Sequence, residues 1–295
     1  MNKEIQGIVL RGIGGFYYVE AADAVYECRA RGLLRRQGLT PVAGDRVTVE
    51  VQPSGEGVLT QIAERRNVLV RPPVANLDLL VLVASICEPV TNTLVLDKMI
   101  AVAEKKGITP IIVINKSDLA DPSPLEAVYR TAGFECYVVS AHHPETLAAL
   151  RERLTGQVSV FAGNSGVGKS SLLNALDPSL TLETGEISQK LGRGRHTTRA
   201  ASLYPLAGGY LVDTPGFSSL DLEQVETIHK DELPDCFREF APHIGHCRFI
   251  GCAHYKEPDC AVRAAVEAGE IARSRYESYV SMYELVKDKK EWEKG

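Results

Sequence analysis

A single stretch narrows the choice of fold more than any other. The apolar Val158-Ser-Val-Phe-Ala162 runs directly into Gly163, Asn164, Ser165, Gly166, Val167, Gly168, Lys169 and Ser170, then into Ser171 and Leu-Leu-Asn-Ala-Leu176. A buried strand, a glycine-rich turn and a helix N-terminus in immediate succession make a phosphate cradle. The glycines let backbone N–H groups turn inward, and the helix end adds partial positive charge. Lys169 is placed to reach the β- and γ-phosphates of a nucleoside triphosphate, and the Ser170 hydroxyl to ligate Mg²⁺.

Such a loop belongs to a sheet, and the sheet is visible in the pattern. Leu79–Ala84, Ile108–Ile114 and Tyr137–Val139 are further short buried-type strands, separated by helical stretches such as Thr93–Lys106 and Glu145–Leu154. Strands alternating with helices predict a parallel sheet covered on both faces, with ligands at the strands' carboxyl ends. Residues 1 to about 70 differ: short alternating runs, as in Phe16–Val19 and Arg46–Val51, lie between turn signals at Gly14-Gly15, Gly44-Asp45 and Pro53-Ser54-Gly55. That spacing predicts a small β-barrel or sandwich, preferably OB-like. Its Arg29, Arg31, Arg35 and Arg36 make either an RNA contact or a solvated face. Beyond 220 the chain reads as mostly helical, ending in a mixed-charge helix and tail from Tyr276 to Gly295.

Composition excludes some classes of function. With 33 basic and 38 acidic residues the formal charge is -5, so nucleic acid must be met by local basic patches. The opening residues lack the apolar core of a signal peptide, and the longest apolar run, Leu79 to Ala84, is far short of a membrane span. Seven cysteines, three of them beside a histidine, suit metal in a reducing compartment rather than a disulfide framework. A cytoplasmic monomer is expected.

Asn115-Lys116-Ser117-Asp118 follows the strand ending at Ile114. A carboxylate at Asp118 accepts from both N1–H and the exocyclic amine of guanine, a donor pair adenine lacks. A mismatch would leave the acid unpaired, which supports selectivity of several orders of magnitude. Lys116 would lie over the base, and the backbone at Ser140-Ala141 would meet guanine O6. Asp213-Thr-Pro-Gly216 follows the apolar Tyr210–Val212. Asp213 is placed to hold Mg²⁺ through water, and the Gly216 N–H to sense the γ-phosphate. Between the two lies Arg193-Gly-Arg195-His196-Thr197-Thr198-Arg199. Thr198, with Thr197 as second choice, is the candidate to close over Mg²⁺ and the γ-phosphate. Phe217 stands where many GTPases carry a water-orienting Gln, and a phenyl ring cannot hydrogen-bond a nucleophile. Hydrolysis is therefore expected to be slow alone. His196 either positions the water or contacts RNA or solvent.

Cys247, Cys252, His254 and Cys260 stand within fourteen residues. Three thiolates and an imidazole close a tetrahedral Zn²⁺ shell without an open position, which argues for structure rather than catalysis. His243 and His246 compete for the imidazole place. Arg248, Lys256 and Arg263 nearby either touch RNA or face solvent.

The order of the motifs is inverted: base-reading Asn115–Asp118 precedes the phosphate loop, and Asp213–Gly216 leads straight into the C-terminal region. Opening the usual sheet elsewhere and joining its old termini gives this order. With NKSD, GNSGVGKSS, GRGRHTT and DTPGF in place, the chain resembles the circularly permuted, small-ribosomal-subunit-dependent GTPases of bacteria along nearly its whole length. The resemblance implies an α/β fold: a circularly permuted P-loop GTPase domain at 72–220, an OB-like RNA-binding barrel at 1–71 and a mostly α zinc-binding domain at 221–295. It implies a GTP hydrolase acting in late maturation of the 30S subunit, stimulated by the subunit, with 16S rRNA bound by the flanking domains. It also implies that His196 matches the histidine proposed as catalytic, and it places zinc on the four Cys/His ligands. His142 departs from the Lys that often follows the SA pair. The competing reading is an RNA-binding assembly scaffold with GTP mainly as a ligand. An ATP-dependent enzyme is disfavoured by Asp118.

Overall fold

The computed structural model describes residues 3–22, 24–70, 73–180, 201–213 and 228–288. The first five strands are β1 (Lys3–Ile13), β2 (Phe16–Ala21), β3 (Ala24–Ala30), β4 (Arg46–Val51) and β5 (Gly57–Ile62). They close a barrel in the order β1-β2-β3-β5-β4, with the short helix α1 (Gly32–Arg36) between β3 and β4, as the OB-like expectation required. Closure depends on two local features. A register shift between Val9 and Arg11 lets the long β1 pair with β2 at one end and β4 at the other. Gly57 lets β5 lie against β3, since a Cβ there would stand 2.3 Å from Cys28 Sγ. The barrel core is small: Val9, Val19, Cys28, Leu34, Val47, Val49 and Leu59. Burial pushes the Cys28 thiol up to about 11, which makes it an inert packing group.

A two-stranded ribbon, β6 (Val68–Val70) with β7 (Pro73–Ala75), links the barrel to a six-stranded sheet. The sheet consists of β8 (Leu79–Ser85), β9 (Thr109–Asn115), β10 (Glu135–Val138), β11 (Val158–Ala162), β12 (Ser202–Leu206) and β13 (Gly209–Asp213). Its order is β10-β9-β8-β11-β13-β12, parallel except for β12. Every residue of β8 and β11 is buried, which is why both read as unbroken apolar runs. Alternate side chains go to opposite faces. Leu80, Leu82 and Ala84 of β8 pack toward helices α2 (Thr93–Lys106) and α3 (Ser123–Thr131). Leu79, Val81 and Val83 pack toward α4 (Ala148–Leu154) and α5 (Lys169–Leu176). Helix α2 is capped at both ends: Asn92 accepts from Leu94 N, and Gly107 takes the left-handed conformation with φ 64°.

The C-terminal lobe consists of two 3-10 turns (Pro234–Cys236, Arg238–Phe240), a Cys/His loop, α6 (Ala261–Glu267) and α7 (Arg273–Val286). Phe237, Phe240 and Tyr279 form its aromatic centre, with ring centroids 4.9 to 5.3 Å apart. The lobe sits on α2 through a buried ionic cluster. Arg275 donates from Nη1 to Asp97 Oδ1 at 2.7 Å, and from Nε and Nη2 to the Glu239 carboxylate at 2.7 and 3.1 Å. The Tyr129 hydroxyl adds a 3.0 Å bond to Asp97 Oδ1. Burial alone would disfavour the guanidinium charge, but the two carboxylates outweigh it and hold the Arg275 pKa above its ordinary value. Among the described residues no helix is long and apolar enough to cross a membrane.

Candidate functional site

The loops following β8, β9, β10 and β11 meet at the carboxyl edge of the sheet, bringing together Asn115–Asp118, Ser140-Ala141 and Gly163–Ser171. The phosphate loop leaves β11 at Gly163, where φ is 144° and a Cβ would stand 2.3 Å from the Val83 carbonyl oxygen. Gly168 has φ 93°, and a Cβ there would stand 2.4 Å from Asn115 Nδ2. Any side chain at either position would break the turn or the contact behind it. Lys169 opens α5 with Ser170 and Ser171 following it. Its ammonium curls over the loop and donates to the Gly163 and Asn164 carbonyls at 2.7 and 2.8 Å. Burial pushes the Lys169 pKa down. A phosphate bound in this loop would supply the negative charge that favours its ammonium form.

Asn115, at the end of β9 and 1% exposed, joins the base side to the phosphate side. Its Nδ2 donates to Val167 O at 2.9 Å, while its Oδ1 accepts from Ala141 N at 3.2 Å. Lys116 takes the left-handed conformation with φ 64°, and its Nζ donates to Glu88 O at 2.5 Å. Ser117 N donates to Val139 O at 3.2 Å, tying this turn to the strand end that carries Ser140. The Ser140 hydroxyl hydrogen-bonds the Asp118 carboxylate and, with His142 and His143 close by, holds it below the usual carboxylate range. Asp118 is thus an exposed, ionised acceptor at the mouth of the site, the protonation state needed to accept two hydrogen bonds from a base.

Asp213 ends β13, whose Tyr210 and Leu211 pair with Val158 and Ser159 of β11, so its backbone runs beside the strand leading into the phosphate loop. His196, Thr197, Thr198, Gly216 and Phe217 lie outside the described residues. Two contributors escaped the sequence reading. Thr146 Oγ1 accepts from Ser140 N at 3.0 Å and fixes the SA turn. The loop from Ser85 to Thr91 supplies Glu88 O to Lys116 and places Pro89 beside Gly166. Neither carries a motif. Pro89 after a buried strand was the one available signal.

The cysteine–histidine cluster is brought together as expected. The ligand atoms of Cys247, Cys252, His254 and Cys260 lie within 4.8 Å of one another. Cys247 Sγ is 3.9 Å from Cys260 Sγ, and His254 Nδ1 is 3.5 and 3.4 Å from these two sulfurs. A tetrahedron with metal–sulfur bonds of about 2.3 Å and metal–nitrogen bonds of about 2.0 Å has edges of about 3.5–3.8 Å. The donors therefore fit Zn²⁺, with Nδ1 as the histidine ligand. His243 lies instead 3.8 Å from Glu270, so it is not the imidazole of the cluster. Burial lowers the His254 pKa, which favours the neutral imidazole that a metal ligand must be.

Comparison with known proteins agrees with this geometry. The RsgA N-terminal domain model matches residues 6–59, and the RsgA GTPase model matches residues 62–223. The small ribosomal subunit biogenesis GTPase RsgA of Geobacillus kaustophilus is 47% identical over 291 residues, 97% of this chain and 98% of its own. That of Caldanaerobacter subterraneus is 46% identical over 291 residues, 97% of both. YjeQ from Thermotoga maritima superposes with a TM-score of 0.82 at 37% identity, covering 98% of this chain and all of its own. YloQ, a circularly permuted GTPase, superposes at 0.81 with 37% identity, covering 98% and 96%. Its motifs in inverted order, its barrel, its sheet and these matches over nearly the whole length place the chain in the RsgA family of circularly permuted GTPases.

Proposed function

We propose that this GTPase acts in late maturation of the 30S ribosomal subunit, in the cytoplasm and as a monomer, hydrolysing GTP to GDP and phosphate with stimulation by the subunit. Relatives at 47% and 46% identity carry the name small ribosomal subunit biogenesis GTPase, which supports the partner. In this reading Asp118 accepts from guanine N1–H and its amine, the Lys116 stem covers the base, and the Ser140-Ala141 backbone meets O6. The N–H groups of Gly163–Ser170 and the Lys169 ammonium hold the phosphates. Mg²⁺ compensates phosphate charge, with the Ser170 hydroxyl as ligand and Asp213 acting through water. Gly216 and Thr198 sense the γ-phosphate, and His196 orients the attacking water. Zn²⁺ on Cys247, Cys252, His254 and Cys260 stabilises the C-terminal lobe. The barrel at 1–71 and the lobe at 221–295 flank the GTPase domain at 72–220 and supply contacts to 16S rRNA.

The observation that carries the reading is the Asn115 bridge. One buried amide touches Val167 of the phosphate loop and Ala141 of the base turn, so the inverted motifs enclose one site. GTP turnover measured with and without purified 30S subunits tests it. Stimulation that collapses in His196→Ala supports both the partner and the catalytic assignment. Turnover indifferent to subunits would favour a scaffold that uses GTP as a ligand, and full activity of the variant would remove His196 from the mechanism.

A further inference from the structure

The loop between β8 and α2 carries no recognised motif, yet it touches both halves of the nucleotide site. Its neck is closed twice, with Thr91 N donating to Ser85 O at 2.9 Å and Ser85 N donating to Thr91 Oγ1 at 2.7 Å, and Ser85 Oγ donates to Cys87 O inside the loop at 2.9 Å. At its tip Glu88 O accepts from Lys116 Nζ, and the Pro89 ring lies 3.1 Å from where a Cβ on Gly166 would stand. We propose that the Ser85–Thr91 loop is a positioning element of the guanine site, holding the Lys116 ammonium on a fixed carbonyl so that its stem is ordered before the nucleotide arrives. The proposal rests on the guanine-nucleotide reading above and names residues of the chain that serve it.

The physical case is preorganisation. A lysine side chain carries large rotamer entropy, and a stem left free would lose it on covering a base. Lys116 is fixed at both ends instead: its backbone is left-handed, with Leu119 N donating to its carbonyl at 3.0 Å, and its Nζ is seated on Glu88 O. Ordering a group beforehand removes that cost from binding. The carbonyl can serve only if the loop is stiff, and the Thr91 hydroxyl is the side-chain group that closes its neck. Thr91 therefore acts through Lys116.

GDP affinity of Thr91→Val, Thr91→Ser, Lys116→Met and the Thr91→Val/Lys116→Met double variant tests this. Loss of one hydrogen bond predicts that Thr91→Val weakens GDP by about 3- to 10-fold. Thr91→Ser, which keeps the oxygen, restores wild-type affinity. The double variant binds within about twofold of Lys116→Met alone, because removing the ammonium already forfeits what the loop provides. Wild-type affinity of Thr91→Val, failure of the serine to rescue, or losses that multiply in the double variant would each overturn the proposal. Pro89→Ala, which removes the ring beside Gly166 and leaves the neck intact, gives the same cycle with Lys116→Met if Thr91→Val does not fold. The underlying nucleotide reading fails differently, by a wild-type protein that does not prefer GDP to ADP.

Discussion

Asn115 makes one amide serve two loops: Nδ2 binds Val167 O and Oδ1 binds Ala141 N, 2.9 and 3.2 Å away. Truncation leaves two backbone groups without that partner. At about 1 kcal/mol for each lost bond, Asn115→Ala should weaken GDP by about 30-fold, measured by fluorescent-nucleotide displacement. The base-reading role of Asp118 was legible because a carboxylate after a buried strand has a specific chemistry. The joining role of Asn115 was not, since its partners stand far along the chain and no local pattern announces them. Glu135 gives a pH-dependent case. Arg153 donates to it at 2.9 Å and, with the Tyr137 hydroxyl, holds its carboxyl below the ordinary value of 4.5. A depressed folded-state pKa adds stability that is present above the unfolded value and lost as pH falls through the folded one. Glu135→Gln should therefore lower stability at pH 7 by less than about 1 kcal/mol for a largely solvated pair, read as a small drop in thermal midpoint. The gap from wild type should close below the ordinary carboxylate range.

Helix α2 has two tasks that its sequence shows only in part. Its apolar residues Leu96, Met99 and Ile100 face the sheet, and that periodicity predicted the helix over Thr93–Lys106. Asp97 on the same helix is fully buried, with Arg275 and Tyr129 as partners, and its second carboxylate oxygen has none among the described residues. A lone Asp among apolar residues gives no sign of an arginine 178 residues further along the chain. Arg275→Met would strand two buried carboxylates and should cost about 3–5 kcal/mol by chemical denaturation. Replacing Asp97 and Glu239 with leucine in the same chain should recover most of that loss, because apolar groups remove the uncompensated charge. Strands β8, β9 and β11 were legible because both their faces are buried. The stretch from Glu145 begins instead as a 3-10 turn at Pro144–Leu147 and becomes α4 at Ala148, since proline at the start sets the first turn.

Across the whole molecule, both flanking parts hold elements of the nucleotide domain. The barrel reaches β13 through the hydrogen bond from Tyr210 to Glu20, on the strand that ends at Asp213. The C-terminal lobe holds α2 through Arg275 and through Arg238, which pairs with Glu104 and donates to Gly133 O at 2.9 Å. The Cys/His cluster sets His254 against the Phe240 ring and ends at Cys260, the N-cap of α6, so disrupting it should loosen the lobe. Cys252→Ser should release zinc, measured by a colorimetric chelator, and expose the region after residue 228 to proteolysis while the barrel stays protected. The three-part organisation was readable from changes in apolar period and from the Cys/His spacing. How the parts hold one another was not, because it depends on single buried polar contacts between distant segments. In the proposed function Asp118 and Lys169, in inverted chain order, grip the two ends of one guanine nucleotide. Competition of GDP and ADP for the wild-type protein in the presence of Mg²⁺ tests it most directly. The wild-type protein should prefer GDP by at least ~10³-fold, with most of that preference lost in Asp118→Ala. Equal affinity for the two nucleotides would contradict it.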